Sequence, residues 1–188
     1  MISLNKALLP SSVKIDGIFY AIHTDFQYFL NFLKITKEEV IPLNAIDFMF
    51  VSEIPGNKQK AFDALINFTY PKKEIPRTEH STDNKEILLD YDVDADLIYS
   101  AFYEKYKIDL CDESLHLHWY KFQALLNGLT GTKLNDVMSY RAFKPKGKTD
   151  DYQKEMLRLK KAWRIEEQLT EKEKLMVDEF EKVAHGQS

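Results

Sequence analysis

The stretch Ser114-Leu-His-Leu-His-Trp-Tyr-Lys-Phe-Gln-Ala-Leu-Leu-Asn-Gly-Leu129 decides the fold class. Leu115, Trp119, Phe122, Leu126 and Leu129 recur in it at spacings of 4, 3, 4 and 3. That is the stripe of an amphipathic helix facing a core. Ser114 stands where an N-cap would stand, and Gly128 and Gly131 supply the stop.

The pattern repeats outward from this stripe. Upstream, Asp94 heads a run carrying Leu97, Ile98, Ala101, Phe102 and Tyr106 at helical spacing. Downstream, Leu134, Val137, Met138 and Arg141 lie along one side of a shorter helix, and Pro145 and Gly147 mark a turn. Thr149 then caps a helix whose inward face is Tyr152, Met156, Leu159 and Trp163. Thr170 and Glu173 have the spacing of a capping box for a last amphipathic helix with Leu175, Met176, Phe180 and Val183.

The first third reads differently. Asp16-Gly17 is a two-residue turn signal, because a type I′ turn needs positive φ at both central positions. Val13–Ile15 and Ile18–Ile22 flank it with β-branched and aromatic residues, so 13–22 is a hairpin that must pack on other elements. Thr24-Asp25 caps a helix with Phe26, Phe29, Leu30 and Leu33 inward. A further helix is expected over Leu43–Glu53 with Pro42 near its first turn, and another over Lys58–Phe68 with Phe62, Leu65 and Ile66 inward. Residues 69–86, with Pro71, Pro76, Ser81 and Asn84, read as an exposed loop.

The expected fold is therefore mainly α. A small helical domain, 1–168, carries an N-terminal β-hairpin (13–22) packed on it and the loop 69–86. A C-terminal amphipathic helix and tail occupy 169–188.

Composition agrees and excludes several function classes. The 188 residues are 44% hydrophobic and 30% charged, a globular composition unlike collagen, mucin or a disordered tail. Six glycines fall well below the usual ~7%, which disfavours Gly-rich phosphate cradles. A single cysteine, Cys111, permits neither an internal disulfide nor a four-cysteine zinc site. Net charge is −4, with no global basic excess to drive nucleic-acid or membrane binding. No stretch approaches the ~20 apolar residues of a membrane span. Residues 1–10 lack a signal-peptide core, and the expected location is the cytoplasm. The charge is uneven: Glu74–Glu113 has 12 acidic and 4 basic residues, Arg141–Lys174 has 11 basic and 7 acidic. These are two solvated faces, or regions that meet within the chain or between copies.

The candidate chemistry is thin. Asp90, Asp92, Asp94 and Asp96 alternate, yet a calcium loop starting at Asp90 or Asp92 would need Gly sixth and Glu twelfth. Ala95 and Ala101, or Leu97 and Tyr103, occupy those places. The acids read better as a helix entry, with Asp94 or Asp92 as cap. His116 and His118 point apart if the segment is helical and cannot share a metal. Cys111 sits among Asp109, Asp112 and Glu113, a setting that disfavours the thiolate a nucleophile needs. No Walker loop or Rossmann glycine pattern occurs. The sequence therefore offers no catalytic, cofactor-binding or metal-ligating residues. The contact candidates are Arg141, Arg158, Lys161 and Arg164 of the basic third, and Leu175 and Phe180 of the last helix.

The run Leu89-Asp-Tyr-Asp-Val-Asp-Ala-Asp-Leu-Ile-Tyr-Ser-Ala-Phe-Tyr103 resembles a bacteriophage tail-region family usually named by its gene-product number, fifteen. The likeness continues in Tyr106–Leu110, is strongest at Leu117-His-Trp-Tyr-Lys-Phe-Gln-Ala-Leu-Leu126, and extends through Leu134–Arg141. With Leu9-Pro10, the hairpin and Thr24-Asp25-Phe26, it covers roughly residues 5–165. The resemblance implies a mainly helical, non-catalytic protein of the tail module. It would be a tail assembly chaperone that binds the tape measure protein while tail tube protein polymerises around it. The alternative is a tail-completion or connector component of the particle. The partners implied are the tape measure and the tail tube protein, with no small-molecule substrate; the uneven charge adds further copies of the chain as a candidate partner.

Overall fold

The structure, a computed structural model, describes residues 8–70, 86–145, 147 and 150–165. Among these, two strands, β1 (Ser12–Ile15) and β2 (Ile18–Ala21), precede six α-helices. The helices are α1 (Phe26–Ile35), α2 (Lys58–Thr69), α3 (Ala95–Tyr106), α4 (Trp119–Asn127), α5 (Lys133–Ala142) and α6 (Asp151–Ala162). The chain is mainly α, as the periodicity predicts.

The hairpin forms as the turn signal requires. Asp16 and Gly17 take φ of 50° and 88°, and β1 pairs antiparallel with β2 from Ser12↔Ala21 to Ile15↔Ile18. Val13 and Ile15 point inward against α2, which gives the ribbon the support it lacks alone.

The core is aromatic and built around α4. Trp119, Phe29, Phe32, Phe102 and Phe122 are fully buried. Four of these rings stack in sequence with Phe26: Phe29 lies 5.2 Å from Trp119, Trp119 5.7 Å from Phe122, and Phe122 5.2 Å from Phe102 and 4.9 Å from Phe26. The stripe therefore joins α1, α3 and α4 through offset ring contacts. At its end Gly128 fits tightly: a Cβ there would lie 3.3 Å from the Ala124 carbonyl and the Tyr106 hydroxyl.

Several expectations are corrected. Leu43–Glu53 is not an α-helix; only a 3₁₀ turn, Asp47–Met49, forms. The next residues turn extended and lie along the open edge of the hairpin. Ile22 pairs with Phe50, and the His23 and Val51 amides donate to the Met49 and Ala21 carbonyls. Unpaired strand-edge groups outweigh helical spacing here.

α4 starts at Trp119, four residues later than the stripe suggests, and Ser114 caps nothing; its amide and hydroxyl donate to Asp112. Residues 117–119 instead run extended beside 24–26: the Trp119 and Phe26 amides donate to the Thr24 and Leu117 carbonyls. Asp25 closes the pair from both sides, accepting from the Gln27 and Leu117 amides.

Asp94 holds the N-cap position of α3 but makes no cap bond. Tyr152 faces solvent, 67% exposed, meeting the Phe143 ring edge-on at 6.4 Å. α6 is capped by Asp150; Thr149, residues 71–85 of the expected loop, and the last helix with Leu175 and Phe180 lie outside the described residues. Thr69, placed in that loop, is the buried last residue of α2.

Candidate functional site

Two features stand out on the described chain: a buried polar joint that seats α6, and a set of exposed apolar residues on the hairpin and on 40–54.

The joint is built on Asp94 and Arg141. Their side chains are 2% and 5% exposed. The guanidinium grips the carboxylate with two bonds, Nη1 to Oδ2 at 2.7 Å and Nη2 to Oδ1 at 2.8 Å. Its other donors reach the Leu88 carbonyl at 3.0 Å and, from Nε, the Trp163 carbonyl at 2.7 Å. Asp94 Oδ2 also accepts from the Asp90 amide. A buried charge pair is tolerable only when its hydrogen-bonding groups are satisfied in this way. The pair ties together the start of α3, the end of α5 and the residue that closes α6. Nearby, Lys160 donates to Glu86 and to the Phe143 carbonyl, both at 2.8 Å, and the Lys133 ammonium lies 5.3 Å from the Trp163 ring.

Asp90, another of the alternating acids, is engaged beside this joint. Asp90 receives Lys37 at 2.8 Å and the Asp92 and Val93 amides. Burial acts to raise its pKa, but Lys37 and those amides outweigh it and hold the carboxyl below the usual range. The acidic and basic regions thus meet within the chain, at Asp94–Arg141 and Glu86–Lys160.

Arg141, expected at a partner interface, therefore makes its contacts inside the chain. Arg158, Lys161 and Arg164 are exposed; Arg158 pairs with Glu155 one turn back, and its pKa is raised by that hydrogen bond and charge. Among the described residues no group of three His, Cys, Asp or Glu could hold a metal ion. His116 is exposed and His118 half-buried. No described helix is long and apolar enough to cross a membrane.

Apolar residues are exposed outside this joint. Phe19 of β2, Val40 and Leu43 are 69%, 81% and 78% exposed, and Ile18, Val51 and Ile54 are exposed as well. Beside them a cleft of about 150 Å³ is lined by Ile41, Pro42, Leu43, Ile46 and Phe62, with Lys58 and Gln59 at its margin. Exposed apolar side chains that gather in one place mark interaction sites, and the cleft gathers Ile41, Pro42, Leu43, Ile46 and Phe62. Sequence periodicity missed the exposure of Leu43 and Val51 because it assigned 43–53 to a helix that does not form. The Asp94–Arg141 joint was equally hidden, since nothing local pairs residues 47 apart.

The family model described as Bacteriophage Gp15 protein matches residues 4–165. No curated protein and no solved structure gives a significant match.

Proposed function

The chain belongs to the Bacteriophage Gp15 protein family, and on that premise we propose that it is a non-catalytic tail assembly protein that binds the tape measure protein. The family match over 4–165 carries the reading. The exposed apolar residues of the hairpin and of 40–54 supply a surface suited to it. A tape measure is a long helical protein with apolar stripes, and such a helix lays its apolar face on a hydrophobic surface or cleft. The cleft at Ile41, Leu43 and Phe62 would take single side chains of that stripe, while the polar margin at Lys58 and Gln59 would flank it. Reversible coating of this kind keeps a client soluble in the host cytoplasm until tube protein replaces the chaperone.

Co-expression of the full chain with the tape measure protein tests this directly. The expected result is a stoichiometric complex; failure to associate in both co-expression and pull-down would overturn it. Mass spectrometry of purified particles separates the chaperone from a connector or completion protein, because only the latter persists in the finished tail.

A further inference from the structure

The hairpin leaves one of its edges open. Hydrogen bonds of successive residues in an antiparallel strand point to alternate sides. The Ile22 amide donates to the Ser11 carbonyl, and the register runs Val13↔Tyr20 and Ile15↔Ile18, so residues 11, 13 and 15 bond across the ribbon. Ser12 and Lys14 therefore turn their amides and carbonyls outward. None of these backbone groups has a partner among the described residues. The opposite edge, on β2, is held at its end by the Val51 and His23 amide bonds.

The open stretch is sharply bounded. Pro10, the next outward residue, has no amide hydrogen, and its carbonyl lies 3.0 Å from His118 Nε2. At the other end Asp16 enters the turn with φ of 50°. Beside the edge a shallow cleft of about 360 Å³ separates β1 from one face of α2, and Val13, Lys14, Lys60, Asp63, Ala64 and Asn67 line it. A lysine on an edge strand ordinarily guards against pairing. The Lys14 ammonium is instead drawn back across the ribbon, 5.6 Å from the centre of the Phe19 ring on β2.

We propose that this edge pairs with the same edge of a second copy, β1 against β1, antiparallel about a two-fold axis, so that two ribbons join into a four-stranded sheet. The groups present fix the register. Centred on Val13, it sets Ser12 of each copy opposite Lys14 of the other, as hydrogen-bonded pairs that each exchange two bonds. Every outward amide and carbonyl of both residues is then satisfied. Centring on Ser12 would set Lys14 against Pro10, which has no donor, and centring on Lys14 would set Ser12 against Asp16 of the turn. Charge agrees. A two-fold contact must be complementary to itself, and the cleft and turn carry two cations, Lys14 and Lys60, with two anions, Asp16 and Asp63. The same register keeps Lys14 from facing its own copy. So short a stretch makes a weak, reversible dimer of the small-interface class.

Paired cysteines test the register directly. Full-length chains with the exposed Cys111 removed by Cys111→Ser carry either Ser12→Cys or Lys14→Cys, and the two are mixed under mild oxidation. Opposed residues of a hydrogen-bonded pair have Cα atoms about 5.5 Å apart, within disulfide reach. Like positions, 12 with 12 or 14 with 14, would be diagonal neighbours at about 7–8 Å, beyond that reach. The mixture should therefore cross-link roughly tenfold faster than either variant alone. Equal rates, or no cross-linking in the mixture, overturn the proposal. Sedimentation of the unaltered chain is the second measurement. A concentration-dependent dimer is expected, and Ser12→Pro should weaken it roughly tenfold or more, by removing an outward donor while leaving the ribbon's own bonds in place. A chain that is monomeric at every concentration, its edge left to a foreign strand, overturns the proposal, as does a dimer untouched by Ser12→Pro. Should Ser12→Pro fail to fold, the cysteine pair decides.

Discussion

Asp94 and Arg141, 47 residues apart in sequence, form a buried two-bond ion pair whose guanidinium also donates to the Leu88 and Trp163 carbonyls. Removing one member leaves the other charged and buried without its partner. Arg141→Met should therefore cost about 3–5 kcal/mol in urea unfolding. Replacing both, as Asp94→Leu with Arg141→Met, should cost less than the sum of the single changes, because no orphan charge remains. A strictly additive double mutant would mean that the pair carries no coupling.

A second prediction concerns pH. The His118 ring caps α4: Nδ1 accepts the Tyr120 amide at 3.0 Å, and Nε2 lies 3.0 Å from the Pro10 carbonyl. Both contacts together fit only the neutral ring with its proton on Nε2. Burial, the leading cause, holds the imidazole below its ordinary 6.5, while the Pro10 carbonyl pulls the other way. Above pH 6.5 both folded and unfolded chains have this ring neutral, and stability does not depend on it. As pH falls below 6.5 the unfolded chain takes up the proton first, so stability declines until the folded ring also titrates. His118→Asn keeps a cap acceptor that does not titrate, and the wild-type-minus-variant difference in urea midpoint should fall over that window. His118→Ala should cost about 1 kcal/mol at pH 8 through loss of the cap.

The same residue shows where the sequence was legible and where it was not. The hairpin followed from Asp16-Gly17 alone, because positive φ at both turn positions is a local demand. The aromatic stripe was legible because Trp119 and Phe122 are one turn apart on any helix. The start of that helix was not, because the extended run before His118 exists to pair with Thr24 and Phe26, and Asp25 accepts the Leu117 amide from 92 residues away. Phe50 is the same case: its place is set by Ile22 on the hairpin edge. Site residues divide likewise. The exposure of Arg158 and Lys161 follows from helical periodicity, whereas the burial of Arg141 depends on Asp94.

Trp119 offers a third test. Its indole Nε1 donates to the Thr69 carbonyl at 3.1 Å, and Gln123 Nε2 donates to the same oxygen at 3.2 Å. Trp119→Phe alone leaves that carbonyl with one partner, so its cost comes mainly from lost packing around the stacked rings. Adding Gln123→Ala leaves the carbonyl without either side-chain donor. The pair should then cost about 1–3 kcal/mol more than the sum of the single changes, a coupling that a double-mutant cycle by thermal or urea unfolding measures.

The apolar surface gives the fourth. Phe19 and Leu43 are mostly exposed, so they contribute little to the core, and Phe19→Ser or Leu43→Ser should move stability by no more than about 0.5 kcal/mol. If these side chains cover a stripe of the tape measure, each loses its apolar contact in the complex, and an anchor residue is worth about 2 kcal/mol or more. The expected outcome is a fall of roughly thirtyfold or more in affinity for the client, with an unchanged unfolding midpoint. Arg158→Ser on α6 serves as the comparison, since its side chain is exposed and already pairs with Glu155. Equal losses from all three variants would argue against a localised apolar contact, and loss from Arg158→Ser alone would move the client to the basic face of α6.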